Sequence, residues 1–228
     1  MSPASADRPA PGPLTLVKHG HACVELRAGE LRILVDPGTL GPVPDPAGMS
    51  AVLVTHGHVD HADVAVLETA VTAGVPVFGP EDLVEQCPSE GLAGALTVLR
   101  PGDAVTVGGL AVEVLGGRHA RVHPEVAGPV NLAFRLGSTV VVTGDQHPDL
   151  GSDIPVLVTP VDAPWLRAVD LMEFARRCMP GLVVGVHDGL LNEAGLMVAD
   201  QVLASLRREG AREVVRPALG EVVDLSTS

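Results

Sequence analysis

A histidine-rich segment that directly follows an apolar run constrains the fold of this chain most. Residues 55–61 read Thr-His-Gly-His-Val-Asp-His, and residues 51–54 before them, Ala-Val-Leu-Val, are typical of a buried strand. Neutral imidazoles and carboxylates are preferred ligands of zinc and similar divalent ions. Because functional side chains concentrate in loops held by rigid elements, the segment predicts a metal site rather than a polar surface loop.

The spacing within this segment indicates how ligands could be divided between ions. If the backbone stays extended, His56 and His58 point to the same side, whereas Asp60 and His61 follow after the chain has begun to turn. Such a loop can supply two ions from its two ends, which the H-E-x-x-H arrangement on one helix does not do. The spacing itself leaves the number of ions open.

Apolar periodicity predicts a mixed α/β chain. Short strand-like runs separated by turn signals fill the first two thirds, with helices predicted over residues 62–73 and 81–87. The last third alternates strands with helices, predicted over residues 164–178 and 193–209. Two sheets that each carry helices on the outside would accommodate this order, and so would one doubly wound sheet.

Length and composition exclude several classes of protein. The chain has 228 residues, so we expect a flexible tail over residues 1–13 and a single domain over residues 14–228. It contains three Phe, one Trp and no Tyr, so the core must consist of aliphatic side chains. The net charge of -13 disfavours binding to long nucleic acids, because their phosphates are bound by clustered basic residues.

Two further absences in the sequence concern the compartment. No apolar run reaches the length of a membrane helix and the N-terminus does not read as a secretory signal, so we expect no membrane association. The three cysteines lie far apart without C-x-x-C spacing, which indicates neither a disulfide framework nor a thiolate zinc site. These features predict a cytoplasmic protein, and they leave a homo-oligomer open.

The histidine-rich segment resembles the signature of a known family. His56, His58, Asp60 and His61 supply in full the H-x-H-x-D-H motif of the metallo-β-lactamase superfamily. The resemblance covers the chain from about residue 14 to residue 225. It implies a four-layer αβ/βα sandwich, in which two mixed sheets carry helices on their outer faces.

Three later motif residues, His119, Asp145 and His187, follow in the superfamily's order and support the same resemblance. Two early segments, His-Gly-His-Ala-Cys at 19–23 and Leu-Val-Asp-Pro-Gly at 34–38, resemble the branch of metal-dependent hydrolases that includes ascorbate-6-phosphate lactonase. The resemblance implies two divalent ions, zinc first, with manganese and iron as alternatives. One ion would bind His56, His58 and His119, the other would bind Asp60, His61 and His187, and Asp145 would bridge the two.

Other residues near these motifs have two readings each. Asp60 would also orient the attacking hydroxide. His21 and His123 are candidates to contact the substrate or to protonate the leaving group, and each is equally explained as a structural histidine. Asp36 either orients a ligand imidazole or forms the turn before Pro37.

The sequence departs from the family at Gln146, where Thr or Ser usually follows the bridging aspartate. This departure implies altered hydrogen bonding beside the ligand rather than loss of the metal. His19 and His147 are expected to be incidental, with His147 in an exposed turn before a proline. Trp165 is the one large ring available to line the pocket.

The resemblance implies hydrolysis of a small ester, lactone, thioester or phosphodiester by a hydroxide activated between two ions. No G-x-S-x-G motif occurs and no cysteine has a histidine nearby in sequence, so a serine or thiol nucleophile is not indicated. The small-molecule substrate could be anionic, because metal charge offsets the acidic ligands. The alternative is a non-catalytic metal-stabilised binding or sensing protein, although structural zinc sites are usually closed by four ligands.

Overall fold

Within residues 12–226, which the computed structural model describes, fourteen strands form two seven-stranded sheets. The predicted tail over residues 1–13 lies outside the described residues apart from Gly12 and Pro13. The first sheet has the order β14-β1-β2-β3-β4-β5-β6. Its strands are β1 Thr15–Lys18, β2 Val24–Ala28, β3 Leu31–Val35, β4 Ala51–Leu53, β5 Val77–Gly79, β6 Leu96–Val98 and β14 Val222–Asp224.

The first sheet is mixed, because its two halves are connected differently. The strands β1, β2 and β3 pair antiparallel, and the hairpin between β2 and β3 turns at Gly29, which has a positive φ of 60°. The strands β3 to β6 pair in parallel, with helices in the connections that parallel pairing requires.

The second sheet is also mixed, with the order β13-β12-β11-β10-β9-β8-β7. The strands β7 to β10 pair antiparallel, whereas β10 to β13 pair in parallel, so the carboxyl ends of β10, β11 and β12 meet at one edge. Its strands are β7 Ala104–Val107, β8 Leu110–Arg118, β9 Val130–Leu136, β10 Val140–Val142, β11 Val156–Pro160, β12 Leu182–Val186 and β13 Glu213–Val215.

Helices cover the outer face of each sheet. Buried side chains of α1 to α3 pack on the first sheet through Leu67, Leu83 and Leu92, and those of α4 and α5 pack on the second through Phe174 and Leu203. The predicted four-layer sandwich is therefore confirmed, and the doubly wound alternative is wrong. The helices are α1 Val64–Thr72, α2 Leu83–Gln86, α3 Glu90–Ala95, α4 Ala168–Cys178 and α5 Glu193–Ser205.

The layer between the sheets is aliphatic, as the shortage of aromatic residues predicts. Val, Leu and Ile side chains from both sheets fill it, and Phe134 is the one fully buried aromatic ring among the described residues of this cluster. Burial of such side chains stabilises the fold by about 1.5–3 kcal/mol each. The sandwich therefore holds its strand ends, and the loops that follow them, on a rigid base.

Two elements escape prediction from the sequence pattern. The helix α3 contains two glycines, which weaken its periodic signal, and Ser89 caps it by accepting the Leu92 N–H at 3.2 Å. The strand β14 forms only because it pairs with β1 from the opposite end of the chain.

Two predicted helices differ from the prediction only in their bounds. The helix α4 begins at Ala168 rather than at residue 164, and α5 ends at Ser205, where a 3₁₀ turn over Leu206–Glu209 continues it.

The loops that follow β1, β3, β4, β8, β10 and β12 carry predicted site residues. Contacts among these residues place them at one edge of the sandwich. In the part of the chain that the structure describes, no helix combines the length and apolarity needed to cross a bilayer.

Candidate metal centre

The first group of converging ligands combines the loop after β4 with the end of β8. His56, His58 and His119 each offer a ring nitrogen, and these atoms lie within 4.8 Å of one another. His56 Nε2 is 3.1 Å from His58 Nδ1. His56 is fully buried, whereas His58 is exposed, so this group opens to solvent on the His58 side.

The second set surrounds Asp145, in the loop after β10. Its Oδ1 lies 3.3 Å from His61 Nε2, and its Oδ2 lies 3.3 Å from His119 Nε2 and 3.4 Å from His187 Nε2. Asp60 Oδ2 completes the set at 3.5 Å from His187 Nε2. Asp145 thus touches ligands of both groups, and the structure brings together all seven residues predicted as metal ligands.

A backbone requirement explains the local sequence before Asp145. Gly144 has a φ of 58°, and a Cβ there would lie 2.6 Å from Asn131 Oδ1 and 2.8 Å from Thr55 Cβ. Only glycine fits this left-handed position and this close approach. Asn131 Oδ1 also accepts the Asp145 N–H at 2.9 Å, so the aspartate is held from its own backbone.

Hydrogen bonds at Nδ1 orient three of the ligand imidazoles. His61 Nδ1 pairs with Asp36 Oδ2 at 2.9 Å, His119 Nδ1 with the Ala120 carbonyl at 2.5 Å, and His187 Nδ1 with the Asp162 carbonyl at 2.6 Å. A carbonyl or carboxylate can only accept, so in each ring Nδ1 carries the proton. In the neutral ring Nε2 then carries a lone pair directed at the centre, as metal ligation requires, and without an ion the same nitrogen can take up a proton.

His21 differs from these rings in its tautomer. The Gly189 N–H donates to His21 Nδ1 at 2.8 Å, so the neutral ring carries its proton on Nε2, which lies 3.4 Å from Asp60 Oδ2. That nitrogen offers an N–H rather than a lone pair. Although His21, Asp60 and His187 form a close group, the hydrogen bonding assigns His21 as a donor that faces the centre and not as a ligand.

The contacts of Asp36 favour the interpretation that it orients a ligand imidazole. Besides His61, it accepts the Thr55 N–H at 2.7 Å and the Thr55 Oγ1–H at 2.8 Å, and its side chain is buried. Thr55 Oγ1 is in turn 3.0 Å from His56 Nδ1, so one carboxylate supports two imidazoles. Its φ of 50° also places Asp36 in a left-handed turn, which Asp tolerates better than most residues.

The charges at the centre favour an added cation. Burial would raise the pKa of Asp145, but the three imidazoles that face it, in their protonated form, outweigh this effect and hold the pKa well below its ordinary range. Burial would lower the pKa of His61 and His187, yet the facing carboxylates raise these pKa values to about 10 and about 9. The centre thus stabilises positive charge between its ligands.

Unpartnered atoms test whether the residues fit a metal. Among the described residues, His61 Nε2, His187 Nε2 and Asp145 Oδ1 are buried without a hydrogen-bond partner. Buried polar atoms are almost always paired, and leaving one unpaired costs about 1–3 kcal/mol. Divalent cations coordinated by imidazole and carboxylate would satisfy these atoms, so the donor set fits the implied metals.

Trp165, predicted only as a pocket ring, has a more specific contact. Its indole N–H donates to Asp145 Oδ2 at 3.0 Å. Gln146, at the departure from the family pattern, makes no side-chain hydrogen bond to a ligand among the described residues; its amide donates to the Asn131 carbonyl at 3.0 Å. No signal in the sequence indicates the contact between Trp165 and Asp145, because it joins two loops through the fold.

The remaining histidines lie outside the cluster. His123 is exposed, and its Nδ1 accepts the Glu125 N–H within the same loop, so the structure does not bring this candidate catalytic residue to the centre. His19 pairs with the buried Glu25 at 2.8 Å. The exposed turn predicted at His147 is wrong, because this ring is half-buried and stacks on Phe174 with centroids 4.4 Å apart.

Comparison with known proteins defines the class to which this fold and site belong. Residues 15–187 match the family model described as a beta-lactamase superfamily domain, which is well over half of the chain. The chain therefore belongs to the metallo-β-lactamase superfamily, as its H-x-H-x-D-H segment predicts.

Relatives and solved structures agree with this family. Protein Rv0786c of Mycobacterium tuberculosis is 29% identical over 186 residues, which cover 78% of this chain and 85% of the relative. The UPF0173 metal-dependent hydrolase Ta0764 of Thermoplasma acidophilum is 31% identical over 190 residues, covering 76% and 83%. The metallo-beta-lactamase fold protein YhfI of Bacillus subtilis shares the fold with a TM-score of 0.70 at 20% identity, over 93% of this chain and 99% of that one.

Proposed function

We propose that this chain is a metal-dependent hydrolase that cleaves a small ester, lactone, thioester or phosphodiester. It would use two divalent ions, with zinc as the preferred metal. The observation that carries the proposal is the convergence of buried, unpartnered ligand atoms on His61, His187 and Asp145. The Thermoplasma relative is also named a metal-dependent hydrolase. Manganese and iron are alternatives to zinc, because imidazole and carboxylate ligands accept all three.

The two groups of ligands would hold one ion each. When bound, the ions would lower the pKa of a water molecule and polarise a carbonyl or phosphoryl oxygen of the substrate. Asp145 touches imidazoles of both groups, which suits a bridging role. The proposed ligand sets are His56, His58 and His119 for one ion, and Asp60, His61 and His187 for the other.

His21 contributes a fixed hydrogen-bond donor rather than a transferable proton. Its Nδ1 accepts the Gly189 N–H and has no room for a second proton, and burial lowers its pKa below the ordinary value. The ring therefore stays neutral with its Nε2–H directed towards Asp60. This N–H has no hydrogen-bond partner among the described residues, so it is free to stabilise negative charge that develops on the substrate, while solvent protonates the leaving group.

Metal content and hydrolysis together test the proposal. We expect about two ions per chain after reconstitution with zinc, manganese or iron, and turnover on at least one member of an ester, lactone, thioester and phosphodiester panel. His58→Ala should lower both metal content and turnover, whereas the matched variant His123→Ala, a histidine outside the cluster, should change neither. One tightly held ion without hydrolysis of any panel member would instead support a non-catalytic binding or sensing protein.

The role of His21 has its own test. We expect His21→Ala to lower kcat by about 10²–10³-fold and His21→Gln, which keeps an N–H donor, to recover part of this loss. The shape of the pH–rate profile should be the same in both variants, because a neutral donor does not titrate. Loss of one limb of the profile would show that His21 acts as a general acid.

The small-molecule partner and the compartment are part of the same proposal. Bound metal would offset the charge of Asp60 and Asp145, so a substrate with an anionic reacting group is compatible with the net charge of -13. The same net charge argues against long nucleic acids. Cys23, Cys87 and Cys178 are buried free thiols, which supports a reducing compartment such as the cytoplasm.

A further inference from the structure

A cavity of about 510 Å³ lies beside the metal centre, on the side of His21. Four segments line it: residues 18–21 after β1, residues 39–41, residues 188–196 after β12, and residues 216–219. Its volume is in the range typical of small-molecule sites. Apart from His21, none of its lining residues is a proposed metal ligand or part of the proposed chemistry.

The cavity adjoins the second half of the metal centre. His21 lines it, and the His21 ring lies 3.7 Å from the His187 ring, measured between centroids. Thr39, also in its lining, donates its N–H to the Val59 carbonyl at 2.9 Å, directly before the predicted ligand Asp60. His21 is thus the residue shared by the cavity wall and the surroundings of the centre, so a substrate held at the centre would have its nearest cavity on the His21 side.

The charged groups in the lining are already paired with one another. Lys18 Nζ donates to both oxygens of Asp188 at 2.6 Å, and Arg216 Nη1 donates to the same carboxylate at 3.0 Å. The rest of the Arg216 fork binds Asp200 at 2.7 and 2.9 Å. Two cations thus face two carboxylates, and no charge is left over to recognise a charged group in the cavity.

The remaining wall is aliphatic. Leu40, Leu191 and Leu196 are half-buried, and Leu219 at the mouth is 60% exposed. Among the described residues of the lining, the imidazole of His21 is the only aromatic ring, so stacking of a planar group has no platform there. Paired charges and leucine side chains together select an uncharged, flexible apolar ligand.

We propose that this cavity binds an uncharged aliphatic portion of the substrate, such as the acyl chain of an ester. The inference rests on the proposed hydrolase function, because it places the bond to be cleaved at the metal centre and the chain in the cavity. The cavity would add a preference for apolar substituents, whereas the metal centre by itself selects only the group that reacts.

The experiment measures kcat/KM of the metal-loaded chain on p-nitrophenyl acetate, butyrate and hexanoate. We expect an increase of about fourfold for each added CH₂ until the cavity is filled. Ala218→Phe places a ring at the exposed Ala218 in the cavity lining and should lower the hexanoate-to-acetate ratio at least tenfold. Ala204→Phe, at an exposed position of α5 outside the lining, is the matched control and should leave the ratio unchanged.

A second measurement separates this inference from the hydrolase proposal. Binding of 1-hexanol, which has no bond to cleave, is followed by calorimetry on the wild type and on Ala218→Phe. Hexanol binding that Ala218→Phe abolishes, without hydrolysis of any member of the ester, lactone, thioester and phosphodiester panel, would support the aliphatic site and refute the hydrolase. Equal kcat/KM on all three esters without hexanol binding would overturn the inference. So would a dimer that Ala218→Phe dissociates with no change in the ester ratio, because a second copy would then occupy the cavity.

Discussion

Replacing Trp165 with phenylalanine removes the indole N–H that donates to Asp145 Oδ2 at 3.0 Å and leaves an aromatic ring in its place. Hydrogen bonds to charged groups are worth about 1.5–3 kcal/mol. If that energy holds the carboxylate in its ligating orientation, its loss corresponds to roughly 10–150-fold weaker metal binding. This range agrees with the roughly 10–100-fold cost usual for groups that orient metal ligands.

The assay compares metal affinity in wild type and Trp165→Phe by competition with a chromophoric chelator. Trp165 is the chain's single tryptophan, so its fluorescence also reports metal binding directly in the wild type. The midpoint of thermal unfolding without metal serves as the control and should change little, because the residue is only half-buried. Unchanged affinity in Trp165→Phe would refute the argument that this bond orients Asp145.

Three further substitutions test the supporting structure. Asp36→Asn keeps a residue that tolerates the left-handed backbone but turns an amide N–H₂ towards its donors, so metal affinity should fall about 10–100-fold in chelator competition. Unchanged affinity would contradict the argument that Asp36 orients His61. Burial would raise the pKa of Glu25, but Arg27, Arg32 and His19 lower it from 4.5 to about 2. The ionised Glu25 therefore stabilises the fold by about 3 kcal/mol above pH 4.5, and this stabilisation is lost as the pH falls towards 2. In urea unfolding, Glu25→Gln should therefore have a lower free energy of unfolding than the wild type at pH 7 and the same free energy at pH 2. Gly144→Ala should lower the free energy of unfolding by more than about 2 kcal/mol, and a smaller loss would contradict the contacts drawn at its Cβ.

The ligand residues illustrate how far reasoning from sequence reaches. His56, His58, Asp60 and His61 share one short segment, so their chemistry is readable directly from the order of residues. His119 and His187 stand alone in the sequence, and the family resemblance is what singles them out. The structure brings them into the same cluster because each follows a strand that ends at the same edge.

His123 shows the limit of that reasoning. Its sequence position between two motif residues is as suggestive as that of His21, yet the loop that carries it directs the ring to solvent. His21, in contrast, packs against Gly189 from the far end of the chain, and that contact sets its tautomer. Sequence spacing contains no information about either orientation.

By itself, the sequence determined the α/β class and the kind of ligands in this protein, whereas the two-sheet layering followed from the family resemblance, because the pattern also allowed one doubly wound sheet. Apolar periodicity and strand-end motifs specified an aliphatic α/β chain with a cluster of metal ligands, because side-chain type and spacing are local properties. Only the tertiary structure decided which nitrogen of each histidine faces the centre, that Trp165 holds Asp145, and that a charge-neutral cavity adjoins His21. These features depend on contacts between segments that lie far apart in the sequence, and only folding brings such segments together. Lys18 and Asp188, for example, are more than a hundred residues apart.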